Sequence, residues 1–474
     1  MKRFVIAGGF CLAAATGSAF ADSPPMTKPA PRVVVIEDEQ PMREATIDKK
    51  PTPPRVEFVN EVKVMPARMI DNSAPSTRNS HYHLATDDHA PDGVELVGAD
   101  PVMDGSPPSV TAVAPYMPAA RRTTNVWISA EYLRWHISDG PLPVPLVTTG
   151  NPLDPIPGGL GQPGTQVLYG GQNIDFGWSN GFRLTAGGWL PGEPFGGEVS
   201  FFSLQRRSRT FAIGSDGAGN PPLYLPAINP ANGAEVSLVV ADPVLLFDGR
   251  VAVTSQSRLL GAEANALLAG ATCQWGEVDL LAGFRYLDLE ESITLQNPTT
   301  DLALGTYADL IDRFETENRF YGAQIGARAT GYCSKYFASV TGKVAVGWTR
   351  SVVDVQGFAY QTSPAPGIPT GTFNSGFYTQ ASNTGRRDAW DCSVVPEVNV
   401  RVGCDLFGCV KAFVGYDWLY WCNVARPGEQ IDRSVNLAQS PFLVGVPGPA
   451  RPAPLHNTTD FFVHGFSVGV ELHY

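Results

Sequence analysis

The sequence predicts an all-β fold, namely an antiparallel up-and-down transmembrane β-barrel of about ten strands, with a range of about 8 to 14. From Val126 onward, long segments alternate apolar and polar residues with a period of two, which indicates strands with one apolar face. The connections between these segments are alternately short and long, as in bacterial outer-membrane barrels with long extracellular loops. A soluble sandwich also alternates, but its strands usually have only about 5 to 6 residues.

Ten segments carry this alternation. They cover approximately residues 126–136, 179–190, 197–206, 258–272, 277–289, 319–331, 337–350, 392–404, 410–422 and 461–474. Their lengths suit tilted membrane strands of about 9 to 11 residues plus their ends. Tyrosine and tryptophan gather near the segment ends, as in an interfacial aromatic girdle. Because no backbone group can stay unpaired in lipid, we expect the last segment to pair with both the ninth and the first.

The amino-terminal region lacks the alternation. Residues 1–21 combine a basic start with an apolar run and small residues at Ala19 and Ala21, so we expect a signal peptide, Sec-type export and a place in the cell outer membrane. Residues 22–124 are rich in proline and charge, which favours a mostly disordered region with a short strand near Arg32 to Ile36. This region is a candidate for contact with the cell wall or a periplasmic protein, and residues 125–474 form the predicted barrel. The net charge of −12 argues against nucleic acid as a partner.

The polar positions of the alternating segments carry many charged residues. Charges at membrane depth must face water or each other. We expect a lumen lined by Glu131, Arg183, Glu263, Asp279, Arg285, Gln324, Arg328, Lys343, Glu397, Arg401, Lys411, Asp417 and Glu471. Two interpretations stay open: a hydrated lumen that passes or binds small polar solutes, and a satisfied polar network that fills the barrel. Eight strands leave an interior just filled by side chains, whereas open porins have about 16 to 18, so ten strands lie nearer the filled end.

The hairpin around "DLFG" suggests a register in which Val402 lies opposite Ala412 and Cys392 lies opposite Cys422. A disulfide needs Cα atoms within about 7 Å, and an exported protein lies in an oxidising compartment. We therefore predict a Cys392–Cys422 bridge and leave the pairing of the other four cysteines open. Pro396 lacks a ladder donor in this strand, so we expect a bulge there.

Histidines offer one alternative of a different class. His136 and His464 become neighbours on closure, with Asp139, His456 and Asp460 nearby in loops, and such a group could form a hydrolase site or hold a metal. No recognisable motif supports this hypothesis, so we predict no enzyme, no cofactor and no metal site. The tract "HYHLATDDH" is interpreted as a disordered polar stretch rather than a metal site.

Several stretches resemble the "putative β-barrel porin" family of planctomycete outer membranes: "VWISAEYLRWHISDGPLPVPLVTTG", "SNGFRLTAGGWL", "LLAGFRYLDLEESI" and "NRFYGAQIGARA". The resemblance covers nearly everything from Val126 to Tyr474. It implies an outer-membrane barrel and brings no catalytic residue and no known substrate. We expect passive diffusion of small polar solutes, with a structural or surface-interaction protein of closed lumen and functional loops as the alternative.

The carboxyl terminus carries a second resemblance. Ser467, Gly469, Leu472 and Tyr474 resemble the signature by which barrel-assembly machinery recognises its substrates. This machinery and outer-membrane lipid are therefore the expected partners, and the oligomeric state stays open.

Overall fold

The computed structural model describes residues 34–37, 126–366, 368–436, 439 and 448–474. The predicted signal peptide and the "HYHLATDDH" tract lie outside these ranges, as does most of the predicted disordered region. No helix in the described ranges is long and hydrophobic enough to span a bilayer.

Strands are numbered in chain order. They are β1 (Val34–Glu37), β2 (Val126–Ile137), β3 (Pro145–Thr149), β4 (Gln166–Gly170), β5 (Trp178–Trp189), β6 (Phe195–Leu204), β7 (Arg207–Gly214), β8 (Leu223–Ile228), β9 (Glu235–Ala241), β10 (Phe247–Cys273), β11 (Gly276–Asp301), β12 (Thr306–Cys333), β13 (Tyr336–Thr362), β14 (Gly371–Phe373), β15 (Gly385–Asp405), β16 (Val410–Ala425) and β17 (Thr458–His473). A short 3₁₀ turn covers Pro427–Gln430.

Ten of the described strands close an antiparallel ring. Its order is β2, β5, β6, β10, β11, β12, β13, β15, β16, β17 and back to β2. At the seam, the Tyr474 amide donates to the Val126 carbonyl at 2.8 Å, and the Val126 amide donates to the Tyr474 carbonyl at 3.0 Å. The predicted ten-stranded barrel is confirmed, and its last strand is paired along both edges.

The two faces of the ring are the reverse of those in a soluble protein. On the outer face Phe284 is 50% exposed and Val344 is 42% exposed, whereas on the inner face Arg285 is 2% exposed and Glu397 is 4% exposed. A water-soluble sandwich would bury the aliphatic side chains and expose the arginines. This distribution excludes the sandwich and fits a wall with lipid outside.

An aromatic row marks the loop-side edge of the apolar band. Tyr286, Tyr321 and Trp348 lie opposite one another on β11, β12 and β13. The next row of cross-strand neighbours, one step closer to the loops, is charged and consists of Asp288, Arg319 and Arg350. Aromatic rings favour the membrane–water interface, so the aromatic row places the bilayer boundary at this level.

The long strands extend well past this boundary, and here the predicted bounds were too short. Strand β13 was predicted to end at 350 and continues to Thr362, and β10, β11, β12 and β15 extend in the same direction. Above the aromatic row the sense of the alternation reverses: Val353 and Val355 point inward and are buried, while Asp354 and Gln356 lie on the outer face. Above the aromatic row the outer face meets water instead of lipid. The outward apolar residues that mark each strand in the membrane therefore stop at the boundary, although the strand continues.

The predicted register of the "DLFG" hairpin is wrong by two residues. Val402 lies opposite Val414 instead of Ala412. The Val394 amide donates to Cys422 Sγ at 3.1 Å, and Cys392 and Cys422 are both free thiols, so the predicted bridge is not formed. A shift of two residues leaves every side chain on the same face, so the alternation alone could not distinguish these registers.

The bulge expected at Pro396 is also absent from the described ladder. Pro396 pairs with Val344 within a continuous β13–β15 register. The pairing between β15 and β16 reaches only Glu397, so proline falls just beyond the end of that ladder, where its missing donor is tolerated. The irregularity lies instead in β16, between Trp421 and Val424.

A second structured region, called the head here, lies on the loop side of the aromatic row. Its wall is an open sheet of β7, β10, β11, β12, β13 and the upper part of β15. A second sheet has the order β4, β3, β8, β9, and its buried residues share one core with the wall. Leu146 and Leu225 from the second sheet and Val253 and Leu295 from the wall belong to this core.

The outer face above and below the aromatic row should respond oppositely to charge. We expect Val344→Arg, within the apolar band, to destabilise the barrel by about 2–4 kcal/mol, because the new charge enters lipid. Gln356→Arg, on the same face of β13 but above the aromatic row, should change stability by less than about 0.5 kcal/mol. Urea unfolding in lipid vesicles measures both, and equal effects would contradict the placement of the membrane boundary.

Candidate functional site: a filled lumen and its loop-side cover

The structure places all of the sequence-predicted lumen residues on the inner face of the ring. Glu131, Arg183, Asp279, Arg285, Gln324, Lys343, Glu397 and Asp417 are buried, and Arg328, Arg401, Lys411 and Glu471 line a shared internal cavity. They form two ion-pair clusters and several smaller contacts.

The first cluster joins β10, β11, β13 and β15. Arg285 pairs with Glu263 at 2.5 Å and also with Glu397. Lys343 Nζ lies 2.8 Å from Glu263 and 3.1 Å from Glu397, so two cations alternate with two carboxylates. Gln324 Nε2 donates to Glu263 at 3.1 Å. Since β12 and β13 separate Arg285 from Glu397 in the ring, their pairing crosses the lumen rather than following the wall.

The second cluster crosses the other half of the lumen. Arg183 on β5 lies 3.3 Å from Glu131 and 3.1 Å from Asp417 on β16. Arg401 on β15 reaches Glu131 on β2 at 2.9 Å, and Trp135 Nε1 donates to Asp417 at 3.1 Å. The Arg183–Asp417 pair and the Arg401–Glu131 pair each join strands that have two other strands between them in the ring.

A cavity of 150 Å³ remains beside these clusters, toward the short turns. Arg328 on β12 pairs with Glu198 on β6 at 2.8 Å, and both line this cavity. Trp127 and Trp189 lie at the short-turn end of the cavity. The cavity is therefore a small space lined mainly by polar and charged side chains within the barrel.

An apolar layer covers the charged clusters on the loop side. Leu133, Phe320 and Trp421 are fully buried, and Trp135 is 1% exposed. The Trp135 and Phe202 rings are 5.3 Å apart, and the Phe320 and Trp421 rings are 6.1 Å apart, joining β12 to β16. Sequence reasoning missed this layer, although Leu133 and Trp135 stood on the polar parity of the first segment.

The connection that follows β16 is fastened to the inner wall. Asn318 Nδ2 donates to the Ala425 carbonyl and Asn318 Oδ1 accepts from the Ala425 amide, both at 2.8 Å. The Arg426 guanidinium pairs with Glu291 on β11, and both side chains are 1% exposed. Its charge also lies 5.3 Å from the centre of the Phe461 ring. Asn318, Glu291 and Arg426 lay outside the predicted segments, so sequence reasoning did not single them out.

A buried carboxylate organises another connection of the head. Asp312 accepts hydrogen bonds from the Thr379 amide at 2.8 Å, the Thr379 hydroxyl at 2.6 Å and the Phe377 amide at 3.2 Å. Burial raises the pKa of Asp312 to about 6, while these hydrogen bonds act in the opposite direction. Asp312 lies above the aromatic row and therefore outside the membrane.

The structure brings only part of the predicted histidine group together. His136 and His464 are cross-strand partners with rings 5.6 Å apart, but they lie on the outer face beside Trp178 and Phe466. His456 instead contacts the hydroxyl of Ser351, an inward residue of β13, at 2.7 Å. His136 and His464 are therefore neighbours, as predicted, but they form part of the outward aromatic interface, whereas His456 contacts an inward residue on the other side of the wall.

The carboxy-terminal residues take both faces of β17. Ser467 is buried on the inner face, and Leu472 and Tyr474 are exposed on the outer face. A Cβ at Gly469 would lie 2.6 Å from the Phe413 ring and 2.8 Å from Glu131, so close packing in the lumen accounts for that glycine. Recognition of these residues by assembly machinery stays a prediction.

Removing one member of the first cluster should cost far more than removing an exposed ion pair. We expect Arg285→Met to destabilise the barrel by about 3–5 kcal/mol, because Glu263 and Glu397 then lose a buried partner. Arg313→Met, which removes an exposed pair with Glu315, should cost about 0–1 kcal/mol. Unfolding in vesicles measures the difference, and a near-zero cost for Arg285→Met would show that the lumen is solvated like a surface.

Asp312 should make the stability of the head depend on pH. Unfolded, the carboxyl loses its proton near pH 3.8; folded, it does so near pH 6, so the folded state holds more protons in between. Stability should therefore fall between pH 4 and pH 7, by up to about 3 kcal/mol more in the wild type than in Asp312→Asn. Hydrogen exchange at the Phe377 and Thr379 amides measures this, and identical pH profiles would refute the assignment.

Comparison with solved structures finds several bacterial outer-membrane proteins. The outer membrane protease OmpT from Escherichia coli matches with a TM-score of 0.34 and 10% identity over 75% of this chain and 98% of that chain. A Pseudomonas aeruginosa FadL homologue gives 0.19 and 7% over 74% and 90%, and an anion-selective porin from Comamonas acidovorans gives 0.10 and 8% over 74% and 99%. TM-scores this low carry no argument about activity.

No curated protein matches the sequence. A family model does match, and its span of residues 127–474 contains the whole ring from the second residue of β2 to the carboxyl terminus. The closed ladder, the outward apolar band and this match agree. The chain therefore belongs to the family described as "Putative beta barrel porin-7".

Proposed function

We propose that this protein is a closed outer-membrane barrel, whose lumen passes no solute and whose head acts at the cell surface as an interaction module. The observation that carries the proposal is the pairing of inward side chains across the lumen, between strands that are not neighbours in the ring. Arg285 with Glu397 and Arg183 with Asp417 are the two central examples.

The layers above these ion pairs strengthen the proposal. A polar solute needs a continuous path of water or of polar partners, because an unpaired polar group in an apolar environment costs several kcal/mol. In the layer around Trp135, Phe320 and Trp421, large apolar side chains are buried in one continuous core. The connection held by Asn318 and Arg426 adds a further cover on the loop side.

Passive diffusion of small polar solutes is the second candidate. It is favoured by the family description and by the charged 150 Å³ cavity on the short-turn side. Diffusion through the whole barrel would require the apolar layer to separate and Arg426 to leave Glu291. The buried Arg426 and Glu291 would then have to find water or new partners, which makes this movement costly.

We propose a non-enzymatic role for either candidate. The group that was considered as a hydrolase site is divided by the wall, with His136 outside and His456 bonded to the inward Ser351. Replacing these histidines should therefore leave the barrel and its surface role unchanged.

The closed lumen predicts an absence of current. Purified wild-type protein, shown to be folded by its heat-modifiable migration, should give no channel events in planar bilayers at any salt concentration or voltage. A variant that combines Phe320→Ala and Trp421→Ala with Arg285→Met removes two rings from the apolar layer and one of the ion pairs across the lumen, and should give measurable conductance. Both proteins must show the same β-sheet circular dichroism before they are compared.

Outward variants on the same strands supply the matched control. Ala323→Gly and Val414→Ala change the lipid face of β12 and β16 and should leave the bilayer silent. A wild-type current that rises with salt concentration would overturn the closed-lumen proposal and support passive diffusion.

A further inference from the structure

The lipid-facing wall carries an arginine among the aromatic side chains of its loop-side boundary. Strand β2 runs from Val126, at the short-turn end, toward the loops, and Arg134 lies between Tyr132 and His136 on its outer face. The alternation along the strand fixes this orientation, because Tyr132 is exposed whereas Leu133 is buried in the lumen. A charge is costly in lipid, so the Arg134 guanidinium must find a partner at this depth.

The partner of Arg134 within the protein is a neutral amide. Arg134 Nη1 donates to Asn180 Oδ1 on β5 at 2.5 Å. Arg350, in the charged row one step closer to the loops on β13, instead pairs with the Asp388 carboxylate at 3.2 Å. Among the described residues no carboxylate forms an ion pair with Arg134. This side chain therefore leaves a positive charge on the outer face that the protein does not neutralise.

The same amide provides a second donor beside the guanidinium. Asn180 Oδ1 also accepts a hydrogen bond from the Tyr132 hydroxyl at 2.7 Å, so both contacts of this side chain fall on its oxygen. The Asn180 Nδ2 hydrogens have no acceptor in the described part of the chain. A forked guanidinium next to a free amide N–H is a donor set that suits the oxygens of a phosphate group.

Aromatic rings place these donors at the level of lipid headgroups. Phe466, the cross-strand neighbour of Arg134 on β17, stacks on Trp178 with ring centres 6.1 Å apart and lies 5.2 Å from the Tyr416 ring. Phe466 and Trp178 are exposed on the outer face, as is Val468, one step closer to the short turns. Since aromatic rings favour the membrane–water interface, the Arg134 guanidinium lies where the phosphates of the loop-side leaflet lie.

We propose that Arg134 and Asn180 form a binding site for the phosphate of a phospholipid in the loop-side leaflet. The Arg134 guanidinium supplies the charge, the Asn180 amide supplies a further hydrogen bond, and Tyr132 holds the amide in place. The acyl chains of the bound lipid lie on the outward apolar surface around Phe466 and Val468. The site lies on the outer wall, so the proposal stands whether the lumen is closed or open.

Two observations favour a lipid phosphate over a phosphate ion from solution. The donors lie on a wall that lipid covers, and a phospholipid already holds its phosphate at this depth. A free ion would have to leave water for the same place and would gain no contact with Phe466 or Val468, and removing an anion from water is costly. The apolar surface below the donors therefore contributes to binding only when the phosphate carries acyl chains.

Native mass spectrometry of the full-length protein tests the site by counting bound lipids. The protein is folded in a maltoside detergent and titrated with dimyristoyl phosphatidylcholine. The wild type should bind a first lipid saturably, and Arg134→Gln should bind it about tenfold more weakly, because a charge-assisted hydrogen bond is lost. Arg350→Gln removes an outward arginine that Asp388 neutralises and should bind like the wild type.

A second variant keeps the arginine and removes only its free charge. Asn180→Asp places a carboxylate against Arg134, so this variant should fold and yet bind the phospholipid about tenfold more weakly. A purely structural role for Arg134 predicts the opposite, namely a well-paired strand with unchanged lipid binding. Unchanged binding in both Arg134→Gln and Asn180→Asp would overturn the site.

Two further ligands separate recognition of the phosphate from apolar packing. Dimyristoylglycerol has the same acyl chains without the phosphate and should bind weakly and equally to the wild type and Arg134→Gln. Inorganic phosphate should not displace the bound phospholipid. Binding of dimyristoylglycerol as tight as that of the phospholipid would refute phosphate recognition, and displacement by inorganic phosphate would refute the choice of a lipid as the ligand.

Discussion

The structure depends on one constraint: within a bilayer every backbone donor and acceptor needs a partner inside the protein. Closure of the ladder between β17 and β2 meets this need and leaves no edge in lipid. Closure also creates an enclosed interior, and the polar parity of ten strands must point into it. The ion pairs across the lumen follow from this, because charges confined to so narrow an interior must find one another. Closure of the ring therefore also accounts for the side chains that fill the lumen.

The reversal at the aromatic row divides the molecule into two physical regimes. Below Trp348 the inner face is polar and the outer face is apolar; above it, Val353 and Val355 face inward and Asp354 faces water. The upper part therefore packs like a soluble protein around a core shared by two sheets, while the lower part is shaped by lipid. This division accounts for a strand such as β7, which has β10 on one side and the short β1 on the other and no second ring strand, since backbone groups exposed to water can remain unpaired by protein whereas those in lipid cannot.

These regimes also explain how much the sequence could predict. The ten segments, their faces and the inward positions of residues such as Arg285 and Asp417 followed from a period-two pattern that the membrane enforces. The head did not follow from this pattern. Its apolar residues lie on the inner face of the strands instead of the outer face, and in the sequence this change at the membrane boundary resembles the end of a strand. The register near Val402 failed for another reason: pairings that differ by two residues bury the same side chains. Contacts such as Arg426 with Glu291 depend on the path of a long connection, which periodicity does not encode.

The filled lumen need not contribute much net stability in order to matter. Desolvating Arg285, Lys343, Glu263 and Glu397 offsets much of the attraction gained when they pair, so apolar residues of similar volume could hold the strands as well. Apolar side chains in the lumen, however, would leave little contrast between the two faces of each strand. An alternation of charged and aliphatic faces penalises any slip by one residue, because it would place an arginine in lipid. We therefore interpret the charged lumen as a device that selects the face of each strand, with the apolar layer and the head completing a barrel that works at its surface.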